Sequence, residues 1–273
     1  MFYFLHSFLP NSILFSFGPL TVHWYGLFLV LGMAAGITVA WKLSSFYGIE
    51  KEKILDLAIW LIVSGLLGAR IYELFLEFPY YYQNPTAAFK FWEGGLAIHG
   101  AIIGGAIALF LFAKRYHLSA ARLGALSVTG LSLGQALGRW GNWFNQELFG
   151  LPTNLPWGIP IAEINRPLQY INETFFQPTF LYESLGCLLI FTFLLFLNYK
   201  WKNKIDDKKA IIIIIFYLIA YSLLRFSLEF IKVDITPMLW GWRWPQIMSL
   251  IIITTSLIYL FINYHPFKHK TKN

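Results

Sequence analysis

An all-α membrane protein is the architecture this sequence predicts. It has seven transmembrane helices, the N-terminus outside, the C-terminus cytoplasmic, a small extracytoplasmic cap and an interfacial arm. Three observations predict it. Of the 273 residues, 57% are hydrophobic and only 13% charged, against roughly 25% charged in a soluble domain, and mean hydropathy is +0.57. Apolar stretches of about 20 residues, enough to span a ~30 Å hydrocarbon core, recur along the chain. Lysine and arginine gather in alternate connections between those stretches.

The spans are expected at Pro19–Trp41, Ile54–Leu76, Gly95–Ala113, Ser119–Arg139, Thr179–Tyr199, Ala210–Ile231 and Pro245–Tyr264. The links after the first, third and fifth hold Lys42, Lys51 and Lys53; Lys114, Arg115 and Arg122; and Lys200, Lys202, Lys204, Lys208 and Lys209. The tail adds Lys268, Lys270 and Lys272. Most of the 21 basic residues thus fall on one side, and positive charge is retained in the cytoplasm. Opposite termini require an odd helix count, which seven satisfies. The formal net charge of +7 reads first as this topology signal and second as a hint of anionic partners. Residues 1–18 carry no Lys or Arg. They lack the basic start of a cleavable signal peptide, so the first apolar helix is expected to stay as an anchor. Cys187 is the one cysteine, which excludes an internal disulfide and a cysteine-based metal site.

Residues 1–273 read as one integral membrane domain. Its segment 78–94 is too polar to span and too rich in Phe, Tyr and Trp to float free. It is expected to lie at the lipid interface, as an ordinary aromatic belt or as a substrate arm. Segment 141–178 is polar and punctuated by Pro and Gly, and is expected to form the cap.

Ionisable residues inside apolar helices are rare and mark sites by default. In the sixth helix Tyr221, Arg225 and Glu229 stand i, i+4, i+8 and so share a face. At ~1.5 Å per residue Arg225 lies roughly 22 Å from the cytoplasmic end. An Arg225–Glu229 pair would neutralise itself across one turn, yet an apolar pair would usually be as stable there. Arg139 and Asn142 end the fourth helix, followed by Asn145 and Glu147 among Trp140, Trp143 and Phe144. That run reads as a site in an aromatic pocket more readily than as an arginine snorkelling to headgroups. His99 sits in the glycine-rich start Gly94-Gly95-Leu96-Ala97-Ile98-His99-Gly100. Alone it reads as a packing hydrogen-bonder, with Gly100, Gly104 and Gly105 admitting a neighbouring helix. At the outer depth of Arg139 and Arg225 it is also a base for proton removal near neutral pH. Arg70 is expected to form an internal salt bridge with Glu73 and Glu77. Tyr25, in His23-Trp24-Tyr25-Gly26, either donates to a headgroup or belongs to the interfacial belt.

Arginine binds phosphate through bidentate, charge-assisted hydrogen bonds. At that depth the available anion is a phospholipid headgroup. A histidine beside a phosphate held by two arginines suggests group transfer with phosphate leaving. There is no nucleophile elbow, nucleotide loop or metal set at ligand spacing, so the nucleophile is expected to come from the second substrate and no cofactor is expected.

These residues resemble a known family. Gly138-Arg139-x-Gly141-Asn142-x-x-Asn145-x-Glu147-x-x-Gly150 is similar to the signature of the prolipoprotein diacylglyceryl transferase family. Further similar blocks are His23-Trp24-Tyr25-Gly26-Leu27, Gly68-Ala69-Arg70, Gly94-Gly95-x-x-x-His99-Gly100, Pro178-x-x-Leu181-Tyr182-Glu183, Arg225-x-x-x-Glu229-Phe230 and Gln246-Ile247-x-Ser249. They follow the family order over nearly the whole chain. The resemblance implies an enzyme of the bacterial inner membrane with its site toward the extracytoplasmic side. Its partners would be phosphatidylglycerol, the signal peptide of a prolipoprotein with its lipobox cysteine, and the bilayer, not nucleic acid. It would form a thioether and release glycerol 1-phosphate, the first step of lipoprotein maturation. By motif, Arg139 binds the headgroup, Arg225 is a second essential arginine and His99 is the candidate base. Asn142, Glu147, Gly150, Tyr25, Tyr221 and Glu229 match residues that shape the site. One departure is Gln177-Pro178, where many members have His-Pro, which leaves His99 as the single candidate base of its kind.

A lipid or anion transporter is the alternative from another class, since buried arginines also line transport paths. Transporters usually show paired repeats and charges near the midplane, and this sequence shows neither clearly. A membrane protease lacks a recognisable Ser–His, paired-Asp or His-Glu-x-x-His set.

Overall fold

The computed structural model describes residues 2–18, 20–203 and 205–264. Pro19, Lys204 and the tail residues Lys268, Lys270 and Lys272 lie outside these. The order is α1 (Phe2–Ser7), β1 (Ile13–Phe17), β2 (Leu20–His23), α2 (Trp24–Leu43), α3 (Lys51–Leu76), α4 (Phe78–Gln83), α5 (Ile98–Arg115), α6 (Ala120–Phe144), β3 (Ile159–Pro160), β4 (Phe175–Phe176), α7 (Thr179–Trp201), α8 (Asp207–Leu228), β5 (Met238–Leu239), β6 (Trp242–Arg243) and α9 (Trp244–Tyr264). Among the described residues six helices are long and apolar enough to cross a membrane: α2, α3, α5, α7, α8 and α9. The protein is therefore a helical membrane protein. Large apolar side chains such as Ile59, Phe110, Leu189 and Phe261 stand exposed on these helices, as a hydrocarbon solvent permits and water does not.

α6 is as long as the others but less apolar, because it carries Arg122, Thr129, Ser132, Gln135, Arg139 and Asn142. Within it only Leu131 is exposed. A helix shielded on nearly every side can carry polar groups that a lipid-facing helix cannot.

Two compact units are distinguished. The first comprises Met1–Gly36, Val128–Tyr199 and Ile212–Asn273. In it α2 and α6 cross at glycines: a Cβ on Gly32 would meet the Gly134 carbonyl, and one on Gly36 the Gly130 carbonyl, each at 2.8 Å. The segment after α6 folds on its own apolar cluster of Leu5, Trp143, Phe149, Ile159, Ile161, Phe176, Phe180 and Leu181. Antiparallel β3 and β4 pair Ile159 with Phe176 and Pro160 with Phe175. Arg166 ties this loop by donating to the carbonyls of Ile161 and Ile171, both at 2.9 Å.

The second unit comprises Ile37–Ser127 and Lys200–Ile211. Its axis is the crossing of α3 and α5, where a Cβ on Gly100 would strike the Gly68 carbonyl and one on Gly104 the Ser64 carbonyl. The expected packing role of these small residues holds at Gly100 and Gly104. Gly105 has nothing within 4 Å of such a Cβ.

Three sequence expectations are corrected. The first helix does not begin near Pro19: residues 20–23 pair with 13–17 in a hairpin turning at Gly18, whose φ is +58°. The fourth helix continues to Phe144, so the loop region starts later than residue 141; the helix ends where its backbone can be capped, not where polar residues begin. Arg70 makes no ion pair with Glu73 or Glu77 among the described residues. Its guanidinium binds neutral groups of the segment after α3.

Candidate active site

The site residues of the first unit converge on a carboxylate. Glu183 lies in the second turn of α7 and is 1% exposed. Its Oε1 is 2.7 Å from Arg139 Nη2, and its Oε2 is 3.3 Å from Arg225 Nη1 and 3.4 Å from Lys232 Nζ. The Tyr221 hydroxyl donates to Oε1 at 3.3 Å. Three cations thus share one buried anion.

The i, i+4, i+8 face of α8 forms as expected. Tyr221 and Arg225 reach Glu183 together, and Arg225 Nη2 lies 3.1 Å from Glu229 Oε2 one turn on. Glu229 is itself buried and takes a second cation, with Arg243 Nε 3.1 Å from its Oε1. Arg243 also lies 3.5 Å from Asp234 and donates to the Lys232 carbonyl at 2.6 Å. The Arg225–Glu229 pair is therefore one link in a chain that runs from Arg139 through Glu183 to Arg243.

The turn after α6 shapes the other side. Gln146 adopts φ +51°. Its N–H donates to the Trp143 carbonyl at 3.0 Å, and that of Glu147 to the Asn142 carbonyl at 3.1 Å. This is a Schellman cap, built on a residue where glycine is usual. The Gln146 side chain holds it, donating to the Pro10 carbonyl at 2.7 Å and accepting from the Ala162 N–H at 2.6 Å. The cap turns Glu147 back over the helix end. Asn142 Nδ2 donates to Glu147 Oε1 at 2.7 Å, while Asn142 Oδ1 accepts from Arg139 Nη1 at 3.3 Å. The amide is thereby oriented, its oxygen toward the guanidinium.

Gly150 sits where three chain segments meet. A Cβ there would come within 2.9–3.0 Å of Gln177, Thr179 and the Ile231 carbonyl, and its N–H donates to the Gln177 carbonyl at 2.9 Å. Tyr25 packs against Gly141, where a Cβ would lie 2.9 Å from its ring. It makes no hydrogen bond to the charged cluster among the described residues.

Arg139, Asn142, Glu147, Tyr221, Arg225 and Glu229 are thus joined in one network. His99 belongs to the second unit, exposed near the start of α5 with its ring 5.9 Å from that of Tyr72. Glu183, which falls in the Leu181-Tyr182-Glu183 block, completes the network with Lys232 and Arg243, none of the three having been assigned a role from the sequence. The available signal for Glu183 was an acid inside an otherwise apolar helix. Burial pushes the Lys232 ammonium below the ordinary lysine range; Glu183 opposes this, and Arg225 and Arg139 add to it.

Arg139 and Arg225 keep 21% and 19% of their side chains exposed, whereas Glu183 keeps 1%. The fold and this network define a helical membrane protein with a buried cluster of arginine, lysine and carboxylate side chains. The family profile described as prolipoprotein diacylglyceryl transferase matches residues 12–262. A relative from Synechococcus elongatus, named phosphatidylglycerol–prolipoprotein diacylglyceryl transferase, is 40% identical over 91% of this chain and 86% of its own length. Relatives of the same name from Synechocystis sp. and Prochlorococcus marinus subsp. pastoris are 38% and 35% identical, over 93% and 97% of this chain and 90% and 96% of their own lengths. The chain belongs to the prolipoprotein diacylglyceryl transferase family.

Proposed function

We propose that the protein moves the diacylglyceryl group of phosphatidylglycerol onto the lipobox cysteine thiol of a prolipoprotein. The observation that carries this reading is the sharing of one buried carboxylate by Arg139, Arg225 and Lys232. The carboxylate is 1% exposed while Arg139 and Arg225 keep 21% and 19% of their side chains exposed, so a phosphate diester meets guanidinium groups already oriented from behind. Arg139 and Arg225 bind the phosphate, with Asn142 and Tyr221 fixing the Arg139 fork. Glu147 orients Asn142, Glu229 holds Arg225, and Gly150 permits the close chain crossing beneath. Tyr25 forms part of the lipid-facing wall.

The thiol sulfur forms a bond to the glyceryl carbon that bears the phosphate. The carbon–oxygen bond breaks, and its electron pair leaves with glycerol 1-phosphate. The thiol proton passes to His99. The arginines stabilise the charge that grows on the leaving phosphate, the largest contribution a preorganised cationic site makes. The family match and the names of the relatives favour this reading over a transporter.

The protein lies in the bacterial inner membrane with α6 as a seventh span, the N-terminus outside and the site toward the extracytoplasmic side. The polar but shielded character of α6 supports the seventh span, and the basic links support the orientation. The decisive test is incubation of purified protein with phosphatidylglycerol vesicles and a lipobox peptide, followed by mass measurement. A diacylglyceryl thioether on the cysteine is expected. An unmodified peptide beside intact phosphatidylglycerol would overturn the reading.

A further inference from the structure

Arg70 is 4% exposed near the C-terminal end of α3. Its Nη1 donates to the Tyr81 hydroxyl and to the Gly94 and Gly95 carbonyls, each at 2.9 Å, and its Nη2 donates to the Lys90 carbonyl. The guanidinium carbon lies 5.1 Å from the Phe91 ring centroid and 5.7 Å from that of Tyr81. Every one of these partners belongs to residues 81–95, and none is an anion. A buried cation usually takes a counter-ion, and Glu73 is on its own helix with Glu77 capping the end. Here carbonyl dipoles and ring faces take that place, so the one side chain gathers a whole segment.

That segment leads directly into α5. Gly94 and Gly95 adopt φ +89° and +68°. The Ala97 N–H donates to the Ala69 carbonyl at 3.2 Å, and Gly100 meets Gly68 backbone to backbone. Three consecutive residues of α3 therefore fix the stretch 94–100: Gly68 by close approach, Ala69 by a backbone bond and Arg70 by its side chain. His99 lies inside that stretch. Among the described residues it has no hydrogen bond of its own to anchor its ring, so the backbone on which it stands sets its location.

We propose that Arg70 is a positioning residue that clasps segment 81–95 and thereby sets the placement of His99. The functional half rests on the reading of His99 as proton acceptor given above. Arg70 itself touches no reacting atom.

The test uses full-length protein in phospholipid nanodiscs and two readouts: tryptic cleavage after Lys90, and steady-state transfer to a lipobox peptide. Arg70→Gln removes the donors. Gly95→Ala attacks the clasp from its other side with the charge intact, since its Cβ would lie 2.8 Å from Arg70 Nη1 and the Tyr81 hydroxyl. Both are expected to speed Lys90 cleavage about tenfold and to lower kcat about 10- to 100-fold, with KM for either substrate changed by less than about threefold. Arg70→Lys, a single-point cation, should restore part of both readouts. Unchanged Lys90 cleavage in Arg70→Gln and Gly95→Ala would overturn the clasp. Faster cleavage with unchanged kcat, or a raised KM with kcat intact, would overturn the positioning role. Full turnover in His99→Gln would instead overturn the base assignment, and with it the functional half. Cleavage at Lys90 needs no turnover and then decides the clasp alone.

Discussion

Glu183 stands 2.7 Å from Arg139 across two helices, and the same carboxylate also meets Arg225 and Lys232. Its burial, beside arginines that keep 21% and 19% of their side chains exposed, makes it the internal anion of the cluster. On the proposed reading, an incoming phosphate need not displace Glu183. It takes the donors that Glu183 leaves unused, and the arginines are already oriented when it arrives, so little reorganisation accompanies binding.

Glu183→Gln keeps the side chain's shape and removes its charge. It takes the shared carboxylate from Arg139 and Lys232 and leaves Arg225 with Glu229 alone. Breaking a buried pair in this way costs about 3–5 kcal/mol, and the partial exposure of both arginines puts the expected loss toward the lower end. Thermal unfolding in detergent should shift down by several degrees. Turnover should fall more than about 100-fold, as for loss of a preorganised charge in a reacting centre. A variant with wild-type turnover would remove Glu183 from the site.

Arg139→Lys and Arg225→Lys keep the charge and remove the fork. Arg139 binds Glu183 through Nη2 while Nη1 takes Asn142; a lysine ammonium cannot span both in a plane. Each variant should lower kcat/KM for phosphatidylglycerol by roughly 100-fold or more. The double variant should fall short of the product of the two, because both act on one phosphate through one carboxylate. Full additivity would mean that the arginines serve separate groups.

Lys232 gives the site a pH dependence of stability. Its proton is held less tightly in the folded protein than in the unfolded chain, through burial first and the neighbouring arginines after it. Below its folded value both states are protonated and the penalty is constant. As pH rises from there toward the ordinary lysine value near 10.5, the folded state releases the proton first and becomes relatively more stable. Lys232→Met has no such titration. The melting temperature of the wild type relative to Lys232→Met should therefore rise as pH climbs toward the ordinary lysine value. A constant difference would mean that Lys232 stays charged throughout.

Parts of this site were legible in the sequence because helical spacing reports which residues share a face. Tyr221, Arg225 and Glu229 were read together on that basis, and Arg139 with Asn142. Spacing does not say which helix lies opposite, so the meeting of α6, α7 and α8 at Glu183 was not legible. An acid in an apolar helix was the signal that went unused. The turn at Gln146 was hidden for a different reason: its positive φ is imposed by side-chain bonds to Pro10 and Ala162, both remote in sequence. Arg70 misled because an i, i+3 acid looks like a partner, while the groups it binds come 11 to 25 residues later. The short hairpins escaped because two- to five-residue strands carry too few alternations to register.

The number of spans turns on α6. If α6 crosses, the loop at 145–178 and the connection at 116–119 lie on opposite faces of the membrane. If it does not, they lie on the same face. The helix has 25 residues, roughly 37 Å at 1.5 Å per residue, which exceeds a ~30 Å core. Its polar groups are matched inside the protein: Gln135 accepts from Tyr217, Ser132 bonds the Thr129 carbonyl, and the Ala136 carbonyl accepts from Ser184. A helix so satisfied carries no desolvation penalty that would keep it out of the bilayer. Single cysteines introduced at Thr153 and His117 in a Cys187→Ala background should react differently with a membrane-impermeant maleimide in intact cells. Labelling at Thr153 alone is expected, because basic residues flank His117 and hold that link inside. Labelling at both positions would reduce the count to six, and labelling at His117 alone would reverse the assignment of the site to the extracytoplasmic face.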